Sequence, residues 1–130
     1  MHPGVYADLL SDKMAEHEST AWLINTGWSG GAYGEGSRMK IKYTRAMLNA
    51  ALDGDLNDVE YVTDGRFGFE FPTSCPGVPS EVLQPRSTWS DGEAYDVTAN
   101  KLAEMFNDNF KRYEAGVSSA VNAAAPAPIE

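Results

Sequence analysis

The stretch Arg38-Met39-Lys40-Ile41-Lys42-Tyr43-Thr44-Arg45, continuing through Ala46 to Asp53 and Gly54, decides how this chain is read. Met39, Ile41 and Tyr43 alternate with Lys40 and Lys42, which is the period of a strand. Thr44 is a residue type that caps helices, and Gly54 is one that ends them. The expectation is a short strand-like segment over 39–43 and then a helix from Arg45 to about Asp53, with Met47, Leu48, Ala51 and Leu52 on its apolar face.

Upstream, Thr26 to Ser37 carries five glycines (Gly27, Gly30, Gly31, Gly34 and Gly36) and reads as a long loop. Loops of that length in a small domain are usually functional or mobile. Before it, Ala21-Trp22-Leu23-Ile24-Asn25 reads as a buried strand. Tyr6, Leu9, Leu10 and Met14 place an amphipathic helix over about 3–16. Downstream, Val59–Thr63 reads as a strand. Phe67, Phe69 and Phe71 alternate into another, closed by Pro72. Residues 72–89 form a proline-punctuated connection. Ser90 and Glu93 then have capping-box spacing, opening a helix to about Glu114 with Tyr95, Leu102, Phe106, Phe110 and Tyr113 on one face. Residues 115–130, rich in Ala and Pro, read as a frayed, flexible tail. The fold class is α/β, a mixture of about three helices and four short strands, with sheet edges that need covering.

Nineteen acidic against ten basic residues give a net charge of -9, which counts against a free-standing nucleic-acid binder. The single cysteine, Cys75, forms no internal disulfide and suits a reducing compartment. No apolar run approaches the roughly 20 residues of a membrane span. Met1-His2-Pro3-Gly4 lacks the basic and apolar regions of a signal peptide. The expectation is a cytoplasmic protein with neither a nucleic-acid nor a membrane partner.

Arg38, Lys40, Lys42 and Arg45 are four of the ten basic residues, packed into eight positions between a glycine-rich loop and a helix start. Positive side chains, loop amides and a helix dipole all favour an anion such as a phosphate or nucleotide. The same pattern also describes the solvated face of an edge strand, and the pattern alone leaves both open. Gly31 and Gly36 have phosphate-loop spacing, but Ser37-Arg38 stands where Lys and Ser/Thr are needed. Gly34-x-Gly36 lacks the third glycine of a dinucleotide fingerprint. These glycines read instead as turn formers. His2, His17 and Cys75 have no metal-ligand spacing. Nothing orients Ser74 or Cys75 with a histidine as a nucleophile. Trp22, Trp28 and Trp89 read as core, the sharper alternative being an aromatic platform for bases, against which the acidic charge counts.

Five stretches, in order, resemble the ATP-dependent phosphoenolpyruvate carboxykinase family. They are His2-Pro3 with Tyr6-Ala7; Trp22 to Trp28; Arg38 to Ala46; Phe71 to Val78; and Leu83-Gln84-Pro85-Arg86 with Thr88-Trp89. The likeness runs from residue 2 to about 114, as the C-terminal segment of a nucleotide-binding catalytic domain; 115–130 carries none of it. The resemblance implies a parent enzyme that converts oxaloacetate and ATP to phosphoenolpyruvate, carbon dioxide and ADP in gluconeogenesis, using magnesium and manganese. It implies nucleotide contacts at Arg38, Met39 and Thr44: a guanidinium for the nucleotide, a soft apolar wall for the base, and a hydroxyl for base or sugar. The family's phosphate loop, metal ligands and oxaloacetate-binding arginine lie upstream of the matched region, so no catalytic residue and no metal ligand is expected here. The natural partners are then ATP and the remainder of the parent polypeptide. The second reading is a non-catalytic fragment or split-gene module that binds nucleotide or docks on a partner chain.

Overall fold

The computed structural model describes residues 2–24 and 26–129. The chain is mixed α/β, with five α-helices and four strands among these residues. The strands form two separate antiparallel pairs. The residues fall into two compact units: Met1–Ala21, Gly65–Gly68 and Ala99–Glu130 in one, Trp22–Asp64 and Phe69–Thr98 in the other.

In the first unit, α1 (Pro3–His17) starts as its sequence predicts. Pro3 occupies the first turn, and the His2 ring nitrogen Nδ1 accepts the Gly4 N–H at 3.1 Å. The helix ends on Glu18, which adopts a left-handed conformation at φ 50°. The stripe of Tyr6, Leu9 and Leu10 that marks α1 as amphipathic is more than half exposed within this chain. After α4 (Gly92–Phe110), whose residues 99–110 belong to this unit, a 3₁₀ turn spans Glu114–Gly116 and α5 spans Ser119–Ala123. The segment read as a frayed end therefore includes a short helix, with Ser118 as its cap. Beyond it, Ala127 N–H donates to Arg66 C=O at 2.7 Å, and Asn100 bonds both the N–H and the C=O of Ile129.

The second unit holds the core: Ala50, Leu56, Cys75, Val78 and Leu83, packed by Trp22, Tyr43, Ala46 and Met47. Here α2 runs Ile41–Asp53, ended by Gly54 at φ 83° as expected. The expected strand over 39–43 is corrected: Ile41, Lys42 and Tyr43 are the first turn of α2. Five alternating residues are too few to separate period 2 from period 3.6. The helical spacing Tyr43–Met47–Ala50, which packs these side chains into the cluster with Leu56 and Cys75, wins the burial. The inward face is rotated accordingly, leaving Leu48 and Leu52 largely exposed. The residues 21–24 form no strand, and Leu23 is 80 % exposed; Asn25 lies outside the described residues.

Strands β3 (Tyr61–Thr63) and β4 (Glu70–Pro72) pair as Tyr61 with Pro72 and Val62 with Phe71. Phe67 lies in the connecting turn, not in a strand. The proline-punctuated connection contains α3 (Ser80–Leu83) and a 3₁₀ turn at Pro85–Thr88. The cap of α4 is Asp91 rather than Ser90: its Oδ1 accepts the N–H groups of Glu93 at 2.9 Å and Ala94 at 3.1 Å.

Candidate functional site

The cationic segment sits where a β-ribbon hands over to a helix. Strand β1 (Trp28–Ser29) pairs antiparallel with β2 (Ser37–Arg38), Trp28 facing Arg38 and Ser29 facing Ser37. The ladder extends one step further, because Met39 N–H donates to Gly27 C=O at 2.8 Å. That bond makes Trp28 and Arg38 a non-hydrogen-bonded pair, the kind whose Cα atoms lie about 4.5 Å apart and whose side chains come closest. Arg38 and Trp28 therefore share one face of the ribbon, and alternation turns Met39 to the other. The ribbon ends where Lys40 (φ -65°, ψ 127°) turns the chain into α2.

Thr44, expected to cap α2, lies inside it; the cap position is Lys40, which supplies no side-chain bond. The Tyr43 and Thr44 N–H groups both reach Lys40 C=O, at 2.9 and 3.3 Å. Among the described residues the Thr44 hydroxyl has no hydrogen-bond partner and Arg38 no ion pair. The neighbouring lysines are differently placed: the ammonium groups of Lys42 and Lys40 lie 4.9 and 5.8 Å from the centroid of the Tyr43 ring, within or near cation–π range. Arg38 and Met39 thus lie at the end of the ribbon and Thr44 near the start of α2, and among the described residues no hydrogen bond or ion pair joins their side chains.

The glycine-rich loop is a closed turn on top of the ribbon. Glu35 and Gly36 N–H both donate to Ala32 C=O at 3.0 Å. Gly36 is required: a Cβ there would stand 2.7 Å from the carbonyl oxygens of Ser29 and Gly31, both backbone. Gly30, at φ 79°, donates its N–H to Thr88 Oγ1 at 3.1 Å. The loop carries one aromatic, Tyr33, 86 % exposed, its ring edge-on to Trp28 with centroids 5.2 Å apart. Trp28 is itself 40 % exposed, so it is not the core residue its type suggested. Sequence reading passed over Tyr33; a lone aromatic among glycines was the available signal.

Cys75 lies in the core of the second unit, where burial first and the Asp55 charge second push its thiol above the usual range. That is the opposite of an activated nucleophile. A surface groove in the first unit, among Asn107, Phe110, Lys111, Glu114 and Asn122, contains none of the predicted site residues. Among the described residues no three His, Cys, Asp or Glu side chains are grouped to hold a metal. No helix among them is long and apolar enough to cross a membrane.

The fold and this junction define a mixed α/β chain with a cationic ribbon-to-helix corner. The family model described as phosphoenolpyruvate carboxykinase matches residues 1–81. The chain is 57 % identical over 121 residues to the ATP-type phosphoenolpyruvate carboxykinase of Geotalea uraniireducens, covering 93 % of this chain and 23 % of that one. It is 56 % identical over 126 residues to that of Parvibaculum lavamentivorans, covering 97 % and 24 %. With that of Flavobacterium johnsoniae the identity is 54 % over 126 residues, covering 97 % and 24 %. The chain belongs to the ATP-dependent phosphoenolpyruvate carboxykinase family, and it spans about a quarter of the length of the curated relatives it matches.

Proposed function

We propose that this chain is the C-terminal part of an ATP-dependent phosphoenolpyruvate carboxykinase of the cytoplasm, contributing nucleoside contacts to the ATP site through Arg38, Met39 and Thr44. Residues 1–114 are the end of the nucleotide-binding domain and 115–130 its tail. The observation that carries this reading is the uncommitted chemistry at the ribbon–helix corner. Arg38 has no carboxylate partner and Thr44 no hydrogen-bond partner among the described residues, in a family whose relatives are named for ATP. Conversion of oxaloacetate and ATP to phosphoenolpyruvate, carbon dioxide and ADP belongs to the full-length parent. Phosphoryl transfer is chiefly positioning and charge stabilisation by metals and clamps, and the residues that supply them lie outside this chain. The chain alone is inactive on this reading.

The partner is the remainder of the parent polypeptide. Tyr6, Leu9, Leu10, Leu23, Leu52, Val97 and Met105 are all more than half exposed. The chain exposes 9300 Å², whereas globular bodies of the two units' sizes would together expose about 8,000 Å². Apolar surface of this kind marks an interaction face. The second reading is a non-catalytic fragment or split-gene module that binds nucleotide through the basic cluster or docks on a partner chain.

Calorimetric titration of the chain with ATP, wild type against Arg38→Ala, tests the site. A charge-assisted contact predicts a weakening of roughly 10- to 150-fold in the variant. Equal heats in both proteins would reduce the basic cluster to a solvated face. Phosphoenolpyruvate formation by the isolated chain with oxaloacetate, ATP and both metals would overturn the assignment of catalysis to the parent.

A further inference from the structure

Tyr33 is the most exposed large aromatic of the second unit, and it is held in place. Its ring meets Trp28 at 79°, edge to face, and Trp28 is registered directly across from Arg38. The turn that carries it is fixed at both ends. Gly30 is bonded to Thr88 Oγ1, whose own hydroxyl donates to Pro85 C=O at 2.7 Å. Gly36 closes a neck too narrow for any side chain. An aromatic ring kept almost wholly in water by so specific a turn is a surface awaiting a flat partner, since the edge-on contact with Trp28 leaves ring face uncovered. The ring contacts Trp28, whose cross-strand neighbour is Arg38, a guanidinium with no ion pair among the described residues. An exposed aromatic ring and an arginine on the same ribbon can together hold a nucleotide: a π-face for the base and a cation for its charged end. The net charge of -9 argues for a single nucleotide rather than a nucleic-acid strand.

We propose that Tyr33, braced edge-on by Trp28, is the stacking platform for the purine base of the nucleotide that Arg38 receives, making the glycine-rich turn part of the nucleotide site. This rests on the nucleotide reading of Arg38 given above. Tyr33 acts through its ring, so the hydroxyl is dispensable and the ring is not.

Titration of the 130-residue chain with ATP and, separately, with inorganic tripolyphosphate tests the proposal. Saturation transfer and ring-current shifts at the adenine H2 and H8 protons report on the base. Stacking on one ring predicts that Tyr33→Ala weakens ATP binding roughly 5- to 150-fold and abolishes the upfield shifts of H2 and H8. Tyr33→Phe keeps both, and tripolyphosphate binds all three proteins alike. Because Tyr33 is exposed and buries nothing, circular dichroism of Tyr33→Ala should match wild type. If Tyr33→Ala binds ATP as wild type while Arg38→Ala loses it, the platform is refuted and the nucleotide site stands. If neither variant differs from wild type, or wild type binds no ATP, both fall.

Discussion

Thr44 separates a structural role from a functional one. Its sequence position suggests an N-cap; in the fold it lies within α2, behind the cap residue Lys40, with its hydroxyl unpartnered among the described residues. Were it the cap, Thr44→Ala would cost about 0.5–2 kcal/mol of helix stability. From its observed position the change has two opposing parts. Alanine is the better helix former by roughly 0.5 kcal/mol. Loss of the half-buried methyl costs about half of the roughly 0.8 kcal/mol assigned to a fully buried methylene. The net effect is within about 0.5 kcal/mol of zero. Amide hydrogen exchange across residues 45–50 reads this locally and does not require the two units to unfold together. Gly54→Ala, forced to φ 83°, serves as the responsive control and should lower protection by about 1–2 kcal/mol. The same Thr44→Ala protein should bind ATP more weakly, because on the proposed reading the hydroxyl serves the ligand. A drop in protection across α2 as large as the control's, with ATP affinity intact, would refute the reasoning and restore Thr44 as a cap.

At the start of α4, Asp91→Ala should destabilise the helix by about 1 kcal/mol, while Ser90→Ala leaves thermal unfolding unchanged. The reverse order would show that the capping-box spacing had named the right residue. Cys75 should alkylate slowly at neutral pH in the folded chain and at the ordinary thiol rate in guanidinium, because burial and Asp55 both hold its proton on. Since the folded thiol is raised, its contribution to stability is present below the unfolded thiol's pKa and is lost as pH rises past it. Rapid alkylation of the native protein at pH 7 would contradict the burial.

Much of the fold was legible where a local signal acts alone. Pro3, the Tyr6–Leu10–Met14 spacing and Gly54 fix helix limits within the chain's own backbone, and α1 and the end of α2 stand where they were expected. Legibility failed where two signals compete over a few residues. Met39–Ile41–Tyr43 alternates like a strand, yet Tyr43, Met47 and Ala50 also fall on one helical stripe, and only the packing against Leu56 and Cys75 chooses. Ser90 and Asp91 are both capping residues, one position apart, and geometry selects the one whose carboxylate faces the Glu93 and Ala94 amides. The site was legible as a cationic cluster but not as a geometry. The Trp28–Arg38 register depends on a hairpin two residues long on each side, too short to show as a period.

The apolar pattern carries a different lesson. Sequence reading assumes that an apolar stripe is buried by the chain that bears it, yet Leu23, Leu10 and Leu52 are 80 %, 62 % and 76 % exposed. The buried set is small instead: Ala50, Ala99 and Ala103 with Leu56, Val78, Leu83 and Cys75. Helix α4 thus turns Ala99 and Ala103 inward and leaves Val97, Met105 and Phe106 exposed, and α2 leaves Ile41 and Leu52 exposed, an expensive arrangement for a chain standing alone. On the proposed reading the pattern is consistent, because the stripes are written for the rest of a polypeptide about four times as long. The corner at Arg38 is closed mostly by bonds within residues 27–44, with Gly30 tied in addition to Thr88. On the proposed reading, nucleoside recognition is the part of the parent's chemistry that this chain keeps, while its apolar faces require the remainder.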